Sequence, residues 1–281
     1  MIDRKIAVIT GGVSGIGLAT AEALALKGWA VHICDIDKKS GDAISRGNPS
    51  ITYHEADVSS WRSLSSAFDT VFKAEGQIDF VFANAGILEK GDFYNTSTLQ
   101  SDEDNVGTKS PPSLPITLPF DESSLDTNLR GTLRTVFLAH HYFRQTSRRE
   151  KRSCVLVITS SMAGVYAQEM SPLYSATKGA LITLSLNRSD SCGMRTYAIC
   201  PGSVRTNFAP KEMWDAYPQE YLTPMSRITD TVEMLIAGGR MEDSGGNTVA
   251  EHLNNGLIVE IFGNDIHFRE SPTPWSRNLQ R

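Results

Sequence analysis

Short, mostly apolar runs recur along the chain and are separated by longer segments with a different pattern. Such runs are typical of strands that are buried on both faces of a parallel sheet, where the alternation of polar and apolar residues is lost. They occupy residues 6–9, 31–34, 51–54, 80–83, 154–159, 196–200 and 256–261. The run at 51–54 has the weakest pattern of the set.

The segments between these runs carry apolar residues at helical spacing. Residues 60–75 are the clearest case, because an apolar stripe recurs every three or four positions until Gly76 ends it. Helices are also predicted at 16–27, 121–146 and 173–184. Alternating strands and helices predict an α/β fold: a single doubly wound parallel sheet, Rossmann-like, with helices on both faces. Right-handed crossovers would place the carboxyl ends of the strands along one edge of that sheet.

Length and composition fit one globular domain. The chain has 281 residues, of which 40% are hydrophobic and 21% are charged, and we expect residues 1–281 to fold as a single unit. A net charge of −5 gives no indication of a nucleic-acid surface. The four cysteines are scattered, without a C-x-x-C pair or a Cys/His cluster, so we predict no metal site. They are interpreted as small packing residues in a reducing compartment.

Nothing in the sequence resembles a signal peptide or a membrane span. The first predicted strand follows directly after the charged residues 1–5, which leaves no room for a leader. No apolar run is long enough to cross a bilayer. We therefore expect a cytoplasmic protein without a membrane partner.

A glycine-rich turn connects the first predicted strand to the first predicted helix. Its sequence, T-G-G-V-S-G-I-G, covers residues 10–17 and has the spacing G-x-x-x-G-x-G. Glycines allow a tight turn and let the backbone approach a pyrophosphate, which the free N–H groups of the helix N-terminus bind. The strand–turn–helix context favours a nucleotide site over a turn without a ligand.

Tyr174 and Lys178 are four residues apart on the predicted helix at 173–184. Residues i and i+4 share one helical face, so the phenol and the ammonium group would lie side by side. A nearby cation favours phenolate and lowers the phenol pKa from about 10 towards neutrality. Such a pair suits an enzyme that moves a proton on and off an alcohol oxygen. The pair is common by itself, and two exposed helix residues are the alternative.

Further motifs follow in order along the chain. They are Asn84-Ala85-Gly86, Asn128 in D-T-N-L, Ser160-Ser161 after the run at 154–159, and P-G-x-V-x-T from Pro201 to Thr206. Together with T-G-x-x-x-G-x-G and Y-x-x-x-K, these motifs resemble the short-chain dehydrogenase/reductase family over residues 5–265. Six motifs in the family's order do not arise readily by chance.

The resemblance implies a catalytic tetrad of Asn128, Ser161, Tyr174 and Lys178. Tyr174 would be the general acid and base, and Ser161, 13 residues before it, would bind the substrate oxygen. Lys178 would lower the phenol pKa and hold the nicotinamide ribose. Asn128 would hold a water that links Lys178 to solvent. The alternative for Asn128 is a helix residue that bonds nearby backbone.

The resemblance also implies one NAD-binding catalytic domain whose contacts lie on the glycine turn, at the strand ends and in the P-G-x-V-x-T segment. The expected contacts are Gly11, Ser14, Gly15, Ile16, Gly17, Asp35, Ile36, Asp57, Val58, Asn84, Ala85, Gly86, Tyr174, Lys178, Pro201, Gly202, Val204 and Thr206. Within this set, Asp57-Val58 resembles the family's adenine-binding pair.

Asp35 bears on the choice between NAD and NADP. It follows the run at 31–34, where a carboxylate bonds both hydroxyls of the adenosine ribose and repels a 2′-phosphate. Neither the glycine turn nor position 36 carries Arg or Lys. NAD is therefore the predicted cofactor. The alternatives are an Asp35 that only caps the next helix and an NADP-linked ketoreductase.

The chain departs from the family pattern in two places. Residues 95–119 are rich in Ser, Thr, Asp and Pro and resemble an inserted loop, which is either functional or disordered. The helix after Lys178 is shorter than usual and gives way to a polar stretch at 187–193. In relatives this helix and the one at 121–146 build the dimer interface. The homodimer or homotetramer that the family implies would then have an altered contact.

Residues 207–227 are rich in aromatic and methionine side chains and suggest a lid over the substrate. A short helix that packs on the body of the protein is the alternative. With the end of the insert as a facing wall, the cavity would suit a bulky, largely apolar secondary alcohol or its ketone. Terpenoid, steroid or polyketide-like compounds of secondary metabolism are expected, rather than sugars.

The predicted function is that of an NAD-dependent short-chain alcohol dehydrogenase acting on such small molecules. A regulatory module that binds NAD without catalysis is the alternative from a different class, and the complete tetrad argues against it. Residues 264–270 and the segment near Trp275 faintly resemble hydroxyprostaglandin-dehydrogenase-like members and fungal secondary-metabolite enzymes.

Overall fold

The strands occur close to where the apolar runs predict them. The computed structural model describes residues 4–94, 121–150, 153–186 and 194–269, with only the backbone of 147–150. In chain order the strands are β1 Ile6–Thr10, β2 Ala30–Asp35, β3 Ile51–Glu55, β4 Phe80–Ala83, β5 Val155–Thr159, β6 Arg195–Pro201, β7 Met241–Glu242, β8 Thr248–Val249, β9 Leu257–Phe262 and β10 Asp265–Arg269.

The helices connect these strands. They are α1 Gly15–Leu26, α2 Lys38–Gly47, α3 Trp61–Glu75, α4 Thr132–Glu150, α5 Pro172–Ser185, α6 Lys211–Ala216 and α7 Met225–Ala237. The prediction at 121–146 was one regular helix, but a π-helical stretch, Leu125–Gly131, precedes α4. A π turn holds one extra residue per turn and therefore re-aims the side chains within it, among them Asn128.

Eight strands form one sheet in the order β10-β9-β6-β5-β4-β1-β2-β3, which confirms the predicted doubly wound fold. All neighbours from β9 to β3 pair in parallel. β10 was not predicted, and it pairs antiparallel with β9, with Ile266 opposite Ile261. Its sequence, D-I-H-F-R, alternates polar and apolar residues, as expected for an edge strand with one exposed face.

The core lies in two layers, one on each face of the sheet. Ala7 and Ile9 of β1 pack into the layer covered by α1 and α7. Ile6 and Val8 of the same strand pack into the layer covered by α3, α4 and α5. Because both faces are buried, β1 is apolar at every position before Thr10.

The position of the site follows from the strand order. The chain leaves β1 towards β2 and β3, and later leaves β4 towards β5 and β6, so the sequence order reverses between β1 and β4. Loops that leave in opposite directions open a crevice at the carboxyl ends of these two strands. The crevice is where the predicted motifs meet.

Candidate active site

A cavity of about 890 Å³ opens at the carboxyl edge of the sheet. The segments that follow β1 to β6 line it, and so do residues of α5 and α6. Of the predicted cofactor contacts, all of which are described, the cavity wall includes every one except Gly17. Of the predicted tetrad, Ser161, Tyr174 and Lys178 line the cavity, while Asn128 lies behind the wall.

The glycine turn needs glycine for two separate reasons. Gly11 and Gly15 have φ values of 65° and 50°, in the left-handed region that other residues seldom adopt. A Cβ on Gly17 would lie 2.1 Å from the carbonyl oxygen of Gly11, so any side chain there would displace the turn. The first turn of α1 contains no acidic residue, which leaves its N–H groups suited to an anion.

Thr10 and Asn84 fasten the turn to the sheet. The Thr10 hydroxyl accepts the N–H groups of Asn84 and Ala85 at 3.1 and 3.2 Å. The Asn84 amide donates to the Thr10 and Gly11 carbonyls and accepts the Thr159 hydroxyl at 3.0 Å. Asn84 thereby connects β1, β4 and β5 at the floor of the cavity. The sequence motif marked Asn84 but gave no indication of this bridging role.

Asp35 ends β2 and lies against the glycine turn. Its carboxylate accepts the N–H of Val13 at 3.4 Å and that of Asp37 at 3.2 Å. The residue that caps α2 is Asp37, whose carboxylate accepts the N–H of Ser40 at 3.1 Å. Asp35 is therefore not the helix cap that the alternative interpretation assumed. Ile36, next to it, is 72% exposed at the cavity wall.

Asp57 and Val58 form the neighbouring wall beyond β3. The Asp57 carboxylate accepts both the N–H and the hydroxyl of Ser59, at 2.8 and 2.6 Å, and so shapes its own turn. Val58 is buried and packs against Gly131, where a Cβ would approach to 2.7 Å of its side chain. The contact joins the β3 side of the cavity to the π-helical stretch.

The side chains of Tyr174 and Lys178 meet in the cavity, as the four-residue spacing predicts. Lys178 Nζ lies 5.5 Å from the centroid of the Tyr174 ring and donates to the Thr159 carbonyl at 2.8 Å. The Ser161 hydroxyl lies close enough to the Tyr174 phenol to lower its pKa. Ser160 has a different role, because it is buried and donates to the Lys178 carbonyl at 2.7 Å. Both serines line the cavity, but it is the Ser161 hydroxyl that lies beside the phenol.

Burial governs the ionisation of this pair. It raises the pKa of Tyr174 to about 12, and the hydrogen bond from Ser161 offsets only part of that change. Burial also lowers the pKa of Lys178 to about 8. The expectation that Lys178 brings the phenol pKa towards neutrality is not met in this structure. The ammonium group faces the ring and bonds the Thr159 carbonyl, while desolvation disfavours the phenolate.

Asn128 is fully buried behind the part of the wall that carries Tyr174 and Lys178. Its side chain accepts the N–H of Ile87 at 2.8 Å and donates to the Ile87 carbonyl at 2.9 Å. It also donates to the Thr177 hydroxyl at 3.4 Å. The backbone that it bonds is distant in sequence rather than nearby, and Asn128 thus connects the segment after β4 to α5. Its expected role in holding a water stays a prediction.

The segment after β6 passes close to the glycine turn. Thr206 lies beside Gly15, where a Cβ would be 3.2 Å from the Thr206 side chain. The Thr206 carbonyl accepts the indole N–H of Trp214 at 2.7 Å, which anchors α6 above the cavity. Pro201, Gly202 and Val204 complete this wall.

The predicted lid residues divide into two groups. Four of them line the cavity: Phe208, Met213, Trp214 and Tyr217. The Phe208 ring centroid lies 5.9 Å from that of Tyr174. Three others, Tyr221, Leu222 and Met225, are not part of the wall. Tyr221 stacks on Phe262, and Met225 begins α7 and packs against the core. The facing wall expected from the insert lies outside the described residues.

Several wall residues were not predicted from the sequence. They follow strand ends but belong to none of the motifs: Ile87, Leu88, Lys90, Met162, Gln168 and Phe262. Their position after a strand was the available signal, because the carboxyl ends of parallel strands meet at one edge. Glu89, in the same segment, accepts the N–H of Tyr174 at 2.7 Å and had no sequence signal of its own.

The described part of the chain has no cluster of metal-ligating side chains. No group of three His, Cys, Asp or Glu residues that could hold a metal ion occurs in residues 4–94, 121–150, 153–186 and 194–269. Within the same ranges, no helix is long and apolar enough to cross a bilayer. Cys34, Cys154 and Cys200 are buried, whereas Cys192 and Trp275 lie outside the described residues.

Comparison with known proteins agrees with this geometry. A family model described as short chain dehydrogenase matches residues 5–215. The short-chain dehydrogenase/reductase prx7 of Penicillium rubens is 36% identical over 267 residues, which cover 92% of this chain and 91% of that protein. Human 15-hydroxyprostaglandin dehydrogenase [NAD(+)] is 25% identical over 300 residues, 99% of each chain.

Solved structures show the same fold. A 3-ketoacyl-(acyl-carrier-protein) reductase from Brucella melitensis, complexed with NADH, has a TM-score of 0.71 at 19% identity, covering 94% of this chain and 98% of that one. ElxO with NADP bound has a TM-score of 0.69 at 21% identity, covering 92% and 97%. The motifs, the arrangement of the cavity and these matches establish that the chain belongs to the short-chain dehydrogenase/reductase family.

Proposed function

We propose that this protein is an NAD-dependent oxidoreductase that interconverts a bulky, largely apolar secondary alcohol and its ketone. The observation that carries the proposal is the make-up of the cavity. A carboxylate, Asp35, lies on its β2 side, and the Tyr174–Ser161 pair lies on its β5 side beneath apolar side chains. Three strand spacings, about 14 Å, separate β2 from β5 and leave room for an extended dinucleotide.

The residues of the cavity fit a nicotinamide dinucleotide. Gly11, Gly15 and the start of α1 form a cradle in which side chains are excluded and backbone N–H groups suit a pyrophosphate. Asp35 would accept the hydroxyls of the adenosine ribose and repel a 2′-phosphate. Structural neighbours carry NADH or NADP, so the preference for NAD rests on Asp35 and Ile36.

The chemistry divides between cofactor and protein. The nicotinamide supplies the hydride acceptor or donor. Ser161 would donate to the substrate oxygen and so hold it beside the phenol, which lies close to the Ser161 hydroxyl. Tyr174 would give a proton to a ketone oxygen or take one from an alcohol. Lys178 would hold the nicotinamide ribose from its fixed position at the Thr159 carbonyl.

The substrate class follows from the wall above Tyr174. Phe208 and Met213 are 39% and 45% exposed although both are large and apolar. An apolar ligand that covers such side chains removes them from water, and this burial favours binding. Trp214 and Tyr217 extend the same wall. A ring system or long chain would cover this surface, and a small polyol would leave it in contact with water.

Two further expectations remain predictions. The residues that would test the altered subunit contact, 187–193, lie outside the described part of the chain. The homodimer or homotetramer, and a place in secondary metabolism, are therefore carried forward from the family resemblance alone.

The experiment that tests the proposal is a substrate panel with each cofactor. Purified protein is given NAD or NADP with 2-decalol, androsterone or xylitol, and reduced cofactor is followed by its absorbance. We expect turnover with NAD on the two ring alcohols, at least about tenfold above xylitol. Faster turnover with NADP would favour the NADP-linked ketoreductase. Tight NADH binding without turnover of any secondary alcohol would favour the regulatory module, and efficient turnover of xylitol alone would contradict the apolar wall.

A further inference from the structure

The catalytic helix α5 begins without the usual cap. The residue at its N-cap position, Ser171, makes no side-chain bond to an amide of the first turn among the described residues, and its hydroxyl bonds Gln168 instead. Pro172 follows and has no N–H to satisfy. The third residue of the helix is Tyr174 itself, and its backbone N–H is one of the donors that an N-cap side chain normally accepts.

Glu89 supplies the missing acceptor from a distant part of the chain. Its carboxylate accepts the N–H of Tyr174 at 2.7 Å, across a sequence separation of 85 residues. A charged acceptor at a helix N-terminus is stronger than a hydroxyl, because it also interacts favourably with the helix dipole. The helix that carries the proton-transferring phenol is thus held at its first turn by a residue of the segment after β4.

The segment that carries Glu89 is itself fixed in place. Two residues earlier, Ile87 bonds the buried Asn128 side chain through both its N–H and its carbonyl. Asn128 in turn donates to Thr177, whose hydroxyl donates to the Tyr174 carbonyl at 2.7 Å. Tyr174 is therefore held at both backbone polar groups, by Glu89 at its N–H and through Thr177 at its carbonyl.

We propose that Glu89 is a positioning residue for Tyr174: its carboxylate holds the first turn of α5 so that the phenol stays beside Ser161 and Lys178. Glu89 exchanges no proton with the substrate in this proposal. The inference rests on the proposed role of Tyr174 for its effect on turnover. Its effect on the helix is independent of any substrate.

Four variants test the proposal. Glu89→Ala removes the acceptor, whereas Glu89→Gln keeps an acceptor oxygen at the same reach without the charge. Glu89→Asp keeps the charge but is one methylene shorter. Glu169→Ala is the matched control, because it removes an exposed glutamate from the segment just before the same helix.

The first readout is hydrogen exchange of the amides of residues 173–178, measured by mass spectrometry on the protein alone. Glu89→Ala and Glu89→Asp should exchange at least about tenfold faster there than wild type, while Glu89→Gln and Glu169→Ala stay close to wild type. Unchanged exchange in Glu89→Ala would overturn the proposal, whatever the outcome of the substrate panel.

The second readout is steady-state turnover of 2-decalol, or of whichever panel alcohol the wild type oxidises fastest. Glu89→Ala should lower kcat about tenfold or more with little change in NADH affinity, since small displacements of a catalytic group are costly. Glu89→Gln should restore most of that loss. Equal loss in Glu89→Gln and Glu89→Ala would instead make Glu89 a proton carrier and overturn the positioning role.

Discussion

At the scale of single residues, burial sets the pKa values of Tyr174 and Lys178. Tyr174 has a pKa of about 12 and Lys178 one of about 8, both displaced from their ordinary values by loss of water. With this raised pKa, the phenol is a proton donor at neutral pH. The sequence predicted that these side chains meet, because helical spacing is local. It could not predict their degree of burial, which depends on the segments that cover them.

The raised pKa of Tyr174 predicts how the two reaction directions respond to pH. Alcohol oxidation requires the phenolate, whose fraction rises about tenfold per pH unit below the pKa, so kcat/KM for oxidation should increase from pH 6 to 9. Ketone reduction requires the phenol and should stay nearly constant over that range. The measurement is kcat/KM in both directions, with NADH affinity determined at each pH. Oxidation that is already independent of pH between 7 and 9 would contradict a buried, protonated phenol.

Asp35 predicts the cofactor preference. Replacement by Ala together with Ile36→Arg removes a carboxylate that repels a 2′-phosphate and adds a cation that binds one. The ratio of kcat/KM for NAD to that for NADP should fall by about 100-fold, the effect of two such interactions at about 1.4 kcal/mol each. Asp37→Ala is the control, because Asp37 caps α2 without lining the cavity. An unchanged ratio in the double variant would exclude Asp35 and Ile36 as selectivity residues.

At the scale of elements, local pattern predicted helices and strands better than their irregularities. The run of β1 and the stripe of α3 are set by their periods, and the end of α3 is set by Gly76, which the structure uses as the C-cap. The π-helical stretch around Asn128 has no comparable sequence signal, because it depends on contacts with Ile87 and Val58. The segment 207–227 around α6 was partly predictable. Its aromatic and methionine residues were evident in the sequence, but only the fold shows which of them line the cavity.

Phe208, just before α6, is expected to affect binding of the substrate but not binding of the cofactor. Phe208→Ala removes the ring that lies against Tyr174, and the loss of about 1.5 kcal/mol of apolar contact should raise KM for 2-decalol about tenfold. NADH affinity should not change. The matched control is Leu253→Ala, since Leu253 is also a large, exposed apolar side chain but lies outside the cavity wall. Equal KM values for the two variants would contradict an apolar substrate wall at Phe208.

At the scale of the whole molecule, topology explains why motifs far apart in sequence form one site. Strand ends at Thr10, Asp35, Ala83, Thr159 and Pro201 all lie at one edge because these strands are parallel. This part was predictable from the alternation of elements. The antiparallel β10 and the bond from Glu89 to Tyr174 were not, since each depends on how distant segments pack rather than on a local pattern.

The central claim is that this cavity transfers a hydride and a proton, with Tyr174 as the proton carrier. The most direct test is Tyr174→Phe, which keeps the buried ring and its contact with Phe208 but removes the ionisable oxygen. Turnover of 2-decalol with NAD, or of the best panel alcohol, should fall by at least about 100-fold, while the NADH dissociation constant measured by fluorescence stays within about twofold of wild type. Turnover near the wild-type rate, with NADH still bound, would contradict the account.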